Sequence, residues 1–98
     1  MKNIIRGNSI ITASKSQVSR DAAGKIAILN VKTGRYFGLD EVGALIWSLI
    51  QKPRTVNEIR DAILKEYNVN PDQCKRDIVA LLTELASQGL IEVRNGNT

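Results

Sequence analysis

The chain has 98 residues, of which 43% are hydrophobic and 24% are charged, and this composition predicts one soluble domain with a modest core. It contains no histidine and one cysteine, which excludes an internal disulfide, cysteine-based metal sites and the Ser-His and Cys-His pairs of nucleophilic catalysis. The formal net charge of +4 is uneven, because residues 1–39 carry seven Lys and Arg against one Asp, whereas residues 40–98 carry seven against nine acidic residues.

The hydrophobic segments are too short to cross a membrane. The longest nearly uninterrupted apolar run is Val42 to Ile50, whereas a transmembrane helix needs roughly 20 residues. Lys2 and Arg6 flank two isoleucines, but no long apolar segment or cleavage site follows, so we expect no secretory signal. The sequence therefore predicts a cytoplasmic location and no membrane partner.

Three segments in the first half are predicted to form an antiparallel meander. They are Gln17–Asp21, Lys25–Val31 and Arg35–Leu39. The first connection is Ala22-Ala23-Gly24, and the second contains Gly34 at the position that needs a positive φ. In the simplest meander the third strand lies at an edge, where one row of backbone N–H and C=O groups is unpaired.

The hydrophobic period changes from two to 3.6 residues after Leu39, which predicts three helices. Their starting signals are Asp40 as a cap, the Thr55–Glu58 capping box, and Asn70-Pro71. Pro53 stops the first helix and Gly89 ends the third. Leu90–Val93 then suits one last short strand.

Each predicted helix has an apolar face. The three faces are Val42, Leu45, Ile46, Leu49 and Ile50; then Val56, Ile59, Ile63 and Tyr67; then Cys74, Ile78, Leu81 and Leu85. Trp47 lies one residue off the first face and is predicted to be core, Gly43 to permit close helix packing, and Cys74 to be a buried structural thiol.

The element order predicts an α+β fold, a winged helix-turn-helix-like domain with a three-stranded antiparallel sheet followed by three helices. The domain is predicted to cover residues 17–93. Residues 1–16 form an N-terminal extension with room for one short strand at Ser9–Ala13, and residues 94–98 form a flexible tail.

The segment from Gly34 to Trp47, GRYFGLDEVGALIW, resembles the PqqD family, which is named after pyrroloquinoline quinone biosynthesis protein D. The likeness extends over roughly residues 17–93. It continues through Pro53–Val56, Tyr67–Val69, Asp77-Ile78, Leu81-Leu82 and Gly89–Ile91.

This resemblance implies a non-catalytic element that binds the leader of a ribosomally made precursor peptide and presents it to modifying enzymes. The leader is expected to add as a strand beside the third meander strand, in a groove against the third helix. Chains of this size that stand alone resemble the leader-binding subunits of lasso peptide synthesis, which work beside a leader protease and a macrocyclase. A pyrroloquinoline quinone subunit, or a partner of another peptide-modifying enzyme, is the alternative within the family.

An edge strand binds an extended peptide through its backbone, and neighbouring pockets sort the side chains. The predicted leader contacts are Arg35, Tyr36, Phe37, Gly38, Leu39, Lys75, Ile78, Val79 and Leu82. Tyr36 and Phe37 point to opposite faces, and we expect Phe37 to be core. The +6 charge of residues 1–39 favours an acidic leader, and the same edge offers pairing to a second copy of the chain.

A DNA-binding winged helix is the strongest rival interpretation, with the third helix as the groove reader. Residues 71–88 carry two basic and three acidic side chains, and that balance suits phosphate contact poorly. A small enzyme is the third class, but no residue can be given a catalytic role. We therefore expect no enzymatic activity, no cofactor, no metal and no nucleic-acid partner.

Overall fold

The computed structural model describes residues 4–15, 17–22 and 25–95. The elements in chain order are β1 (Ile10–Ala13), β2 (Gln17–Ala22), β3 (Lys25–Asn30), β4 (Tyr36–Leu39), α1 (Glu41–Leu49), β5 (Arg54–Thr55), α2 (Val56–Glu66), α3 (Pro71–Ser87) and β6 (Ile91–Arg94). The turn predicted at Ala22-Ala23-Gly24 falls mostly outside the described residues. So do residues 1–3 and 16 of the predicted extension and 96–98 of the predicted tail.

β2, β3 and β4 form one antiparallel sheet in that order, which we call the meander sheet. This confirms the predicted meander, with the strand before α1 at its edge. Gly34 has φ +73 and its N–H donates to the Asn30 carbonyl at 2.8 Å, so the hairpin turn has the geometry expected at that glycine.

The remaining strands form a second sheet, which we call the terminal sheet. The sequence predicted short strands at Ser9–Ala13 and Leu90–Val93 but did not predict that they pair in a sheet of their own. β1 lies between β5 and β6 and pairs antiparallel with both. The Ser9 hydroxyl donates to the Asn95 side chain, and Asn95 Nδ2 donates to the Ile4 carbonyl at 3.0 Å. These contacts join residues 86 and 91 positions apart in the chain, which local sequence patterns do not encode. The domain boundaries at residues 16 and 93 stay a prediction.

All three helix starts are confirmed. Asp40 accepts from the Gly43 N–H at 2.9 Å, and Asn70 accepts from the Gln73 N–H at 3.0 Å ahead of a proline in the first turn. Thr55 and Glu58 make both bonds of a capping box, at 2.8 and 3.1 Å. No helix in the described ranges is long and apolar enough to span a membrane.

The core lies between the helices and the inner faces of the two sheets. Trp47 and Cys74 are buried in it, as predicted. On α3 the buried side chains are Cys74, Ile78, Leu82 and Leu85. Leu82 thus takes the core position predicted for Leu81, which is only half-buried.

Asn30 links the β3–β4 hairpin to the end of α3. This buried side chain donates to the Gln88 carbonyl at 2.7 Å and accepts from the N–H groups of Lys32 and Thr33 at 2.9 and 3.3 Å. Asn30→Ala leaves these groups without partners, so we predict that the free energy of unfolding falls by about 2–3 kcal/mol. Urea unfolding, followed by fluorescence of the single tryptophan, measures the change.

Asn68 provides the control, because it is an exposed asparagine in the α2–α3 connection. Asn68→Ala is expected to change the free energy of unfolding by less than about 0.5 kcal/mol. Equal losses in the two variants would contradict a structural role for the Asn30 hydrogen bonds.

Candidate functional site

β4 bonds to β3 along one side only, and a single hydrogen bond identifies which of its residues face that side. The Asn30 N–H donates to the Arg35 carbonyl at 2.9 Å, so these two residues form a hydrogen-bonded pair. Such pairs alternate along an antiparallel ladder. Phe37 and Leu39 therefore also direct their backbone N–H and C=O groups toward β3.

Tyr36 and Gly38 direct their N–H and C=O groups the other way, to the open edge of the meander sheet. In the described part of the chain no strand occupies this edge. A Cβ atom built on Gly38 would meet no neighbouring atom within 4 Å, so the sheet face that carries Tyr36 is uncrowded there. These four backbone groups are the hydrogen-bonding positions that an extended peptide requires.

A groove of about 830 Å³ lies between this edge and α3. Its walls come from β4, the start of α1, the end of α2, the α2–α3 connection and one face of α3. The lining residues are Phe37, Gly38, Leu39, Asp40, Val42, Gly43, Ile46, Ile63, Tyr67, Val69, Asn70, Gln73, Cys74, Asp77, Ile78 and Leu81. The lining is mainly apolar, which suits side chains that leave water on binding.

Gly43 and two valines form the part of the groove wall at the start of α1 and in the α2–α3 connection. Gly43 allows α1 to start against the end of β4, since a Cβ there would lie 3.1 Å from the Leu39 side chain. The close packing predicted at this glycine is thus confirmed. Val42 and Val69 are 36% and 46% exposed and form an apolar rim that no other element covers among the described residues.

The charged side chains that line the groove, Asp40 and Asp77, are both acidic. Asp77 accepts a hydrogen bond from Gln73 at 2.8 Å, and Asp40 caps α1. Beside them the Tyr67 hydroxyl donates to the Glu41 carboxylate at 2.8 Å, and this bond raises the pKa of Tyr67. The basic charge of the first half of the chain therefore does not line the groove.

The structure brings four of the nine predicted leader contacts together in the groove. These four are Phe37, Gly38, Leu39 and Ile78. Phe37 is half-buried and borders both the core and the groove. Tyr36 and Arg35 are exposed outside the groove, Tyr36 on the opposite face of the sheet.

The other three predicted contacts lie on different faces of α3. Lys75 points toward the N-terminal segment, where its Nζ would be 2.9 Å from a Cβ on Gly7. Val79 is half-buried against the core, and Leu82 is completely buried. As leader contacts, these residues stay predictions.

Of the α3 residues that face the groove, the sequence predicted Ile78 as a leader contact and missed the others. The missed residues are Gln73, Cys74, Asp77 and Leu81, which with Ile78 and the cap Asn70 are spaced three or four residues apart as one helical face. The Asn70-Pro71 start sets the phase of this helix, and counting from it identifies the same face.

Cys74 reports on this groove, because it is the single cysteine of the chain and lines the groove wall. Burial raises the pKa of its thiol. We predict that a disulfide reagent at pH 8 labels the folded chain at least about tenfold more slowly than the chain in denaturant.

The same raised pKa makes folding oppose ionisation of the thiol, so it lowers stability as the pH rises above the ordinary value of about 8.5. A spectrophotometric thiol assay measures the labelling rate, and urea unfolding across pH 7–10 measures the change in stability. Equal labelling rates with and without denaturant would show that the groove wall is open to the reagent in the folded state.

A known protein family matches the part of the chain that forms the groove. Residues 25–91 match the family described as coenzyme PQQ synthesis protein D (PqqD), and the matched segment includes β3, β4 and all three helices. A search of curated protein sequences gave no significant match.

Three solved structures share the fold. The chain is 40% identical to a structure of TbiB1 in complex with the TbiA(beta) leader peptide, with a TM-score of 0.78 over 83% of this chain and 94% of that one. It is 22% identical to a lasso peptide synthetase B1 complexed with its leader peptide, with a TM-score of 0.75 over 84% and 96% of the two chains.

The third is the solution structure of the PqqD part of Methylobacterium extorquens PqqCD, a RiPP (ribosomally synthesised and post-translationally modified peptide) recognition element. It is 22% identical, with a TM-score of 0.76 over 91% of this chain and 95% of that one. With the family match spanning more than half of its length, this chain belongs to the PqqD family.

Proposed function

We propose that this chain binds the leader segment of a ribosomally synthesised precursor peptide and presents it, without catalysis of its own, to processing enzymes. The observation that carries the proposal is the coincidence of an open strand edge with an apolar groove along the same strand. The edge provides backbone hydrogen bonds, and the groove provides side-chain pockets.

In this binding mode the leader forms a strand beside β4. Its backbone pairs with the outward N–H and C=O groups of Tyr36 and Gly38, and every second side chain turns into the groove. Those side chains meet Phe37 and Leu39 on one wall and the Ile78 side of α3 on the other. The apolar lining favours leaders with apolar residues at alternate positions.

The relatives support this assignment. The 40% identical structure holds a leader peptide, and so does one of the two 22% identical structures. A lasso peptide pathway, with a leader protease and a cyclase as partners in the cytoplasm, is the form of the function that we propose. Service as the peptide chaperone of pyrroloquinoline quinone synthesis is the alternative within the family.

Titration of a synthetic leader into ¹⁵N-labelled chain tests the proposal. The leader is that of the precursor encoded beside this chain. We expect the largest amide shifts at Tyr36 and Gly38 and at Gln73, Asp77 and Leu81 on α3. Shifts centred on Lys75 and Val79 instead would move the site to the helix face that the sequence suggested.

Two results would contradict the proposal. One is the absence of leader binding at 100 µM protein, a concentration chosen to detect even weak complexes. The other is duplex DNA binding that weakens steeply with salt and shifts α3 amides, which would favour the winged-helix interpretation. A scrambled leader of the same composition is the control for nonspecific association.

A further inference from the structure

The outer face of the meander sheet, away from the core and the groove, carries an exposed apolar row. Val18 pairs with Leu29, and Leu29 pairs with Tyr36, so the three side chains lie side by side across three strands. Val18 is 56% exposed and Tyr36 is 73% exposed. We call these three residues the outer row.

The next row of the same face is a cationic depression. Arg20 pairs with Ala27, and Ala27 pairs with Gly38, so small residues beside a long one leave a hollow of about 420 Å³. Its charged lining residues are Arg20, Lys25 and one acid, Asp40, whose carboxylate accepts the α1 cap bond, so the basic groups outnumber the acidic one. Neither Arg20 nor Lys25 forms an ion pair with any residue whose side chain the structure describes.

A leader in the groove leaves most of this face uncovered. Neighbouring strands are about 4.8 Å apart, so an added strand borders β4 but lies about 10 Å from β3 and about 15 Å from β2. It can touch Tyr36 and the Gly38 end of the hollow, but it does not cover Val18. Most of the outer row, with the basic side chains beside it, therefore stays available to a second partner.

We propose that this face docks the enzyme that processes the leader, through an acidic-rimmed apolar patch on that enzyme. This inference rests on the proposed adaptor function, since an adaptor that holds a leader on one side of β4 needs another surface for its partner. The outer row supplies the apolar centre of the contact, and Arg20 with Lys25 supplies charges that steer an acidic surface toward it.

The charge and the apolar row together favour an acidic protein surface over a second copy of the chain or a nucleic acid. A second copy of the chain would bring its own Arg20 and Lys25 against the same cations, which opposes self-association through this face. A nucleic acid would use the cations, but it gives no reason for an apolar row at the centre. An acidic protein surface with an apolar centre satisfies both features.

The test uses the purified processing enzyme encoded beside the precursor, added to the full chain with saturating leader. We expect Val18→Asp and Arg20→Glu each to weaken enzyme binding by about tenfold or more, measured by calorimetry, while leader affinity changes less than about twofold. Arg20→Lys keeps the charge and is expected to retain binding. Val69→Asp, at the groove rim, is the matched control. It is expected to weaken leader binding, whereas its affinity for the enzyme, measured without leader, is expected to stay unchanged.

The outcomes separate this proposal from the function on which it rests. If the unaltered chain does not bind the leader, the adaptor function is refuted. Enzyme binding is then measured with the chain alone, so the docking face is still tested. Three results would overturn the docking face. They are equal enzyme binding by all variants, a dimer in sedimentation that Val18→Asp dissociates, and duplex binding that Arg20→Glu abolishes. Unchanged circular dichroism and urea midpoints show that the variants are folded.

Discussion

Gly38→Pro is expected to weaken leader binding by about 30-fold or more while the chain stays folded. Proline removes one outward N–H of β4 and places its ring in the path of the added strand. Loss of a hydrogen bond that leaves a buried partner unsatisfied costs about 2 kcal/mol, which corresponds to about 30-fold in affinity. Fluorescence anisotropy of a labelled leader measures the change.

The fold should tolerate this substitution because of where the Gly38 N–H points. It faces the open edge and takes no part in the ladder with β3, and edge positions of this kind accept proline. Gly38 is not among the glycines with positive φ, and Phe37 before it is extended, as a residue before proline prefers.

Gly38→Ala is the matched control. Alanine keeps the N–H, and its Cβ would meet no atom within 4 Å, so leader affinity is expected to stay within about threefold of the original. If the alanine and proline variants lose the same affinity, a side chain at this position blocks binding and the backbone bond is not responsible. If neither loses affinity, the leader does not use this edge.

The second large effect is expected at the groove rim. The double variant Val42→Asp, Val69→Asp places two carboxylates where the proposed leader covers two exposed valines. Burying an unpaired charge is unfavourable by several kcal/mol, so we expect leader affinity to fall by about 100-fold. Both sites are partly exposed, and aspartate in the first turn of α1 is favourable for the helix, so the fold should persist.

Val18→Asp is the comparison that makes this result specific. Its valine is more exposed than either rim valine, yet it lies on the outer face of the meander sheet. Leader affinity is expected to stay within about twofold of the original. Equal losses at the rim and at Val18 would point to a general effect of negative charge on an acidic leader, without contact at the groove.

Local signals in the sequence were sufficient for the meander and the helix starts. Gly34 in the β3–β4 turn, the Thr55–Glu58 capping box and Asn70-Pro71 each act within four residues, so their consequences follow without knowledge of the rest of the chain. The edge position of β4 followed from the same reasoning. The identity of the residues that line the groove did not follow from it.

Two features depended on packing that local patterns do not contain. Leu81 and Leu82 differ by 100° around α3, and both are apolar, so hydrophobicity alone does not decide which faces the core. The terminal sheet depends on pairing between β1 and β6, two four-residue strands from opposite ends of the chain. The +6 charge of residues 1–39 was expected to act on the leader, but the basic residues of this half lie outside the groove lining.

The terminal sheet also determines how this domain responds to mechanical force. Ile10 pairs with Arg94 and Ala13 with Ile91, so the chain enters β1 and leaves β6 at the same end of the pair. Tension applied at the two ends therefore peels the strands apart one residue pair at a time, beginning at Ser9 and Asn95. A strand pair loaded in this direction yields at low force, since its hydrogen bonds break in succession. When the chain is pulled from its two ends in a single-molecule force experiment, we expect the terminal sheet to open first, while β4 and its groove stay intact.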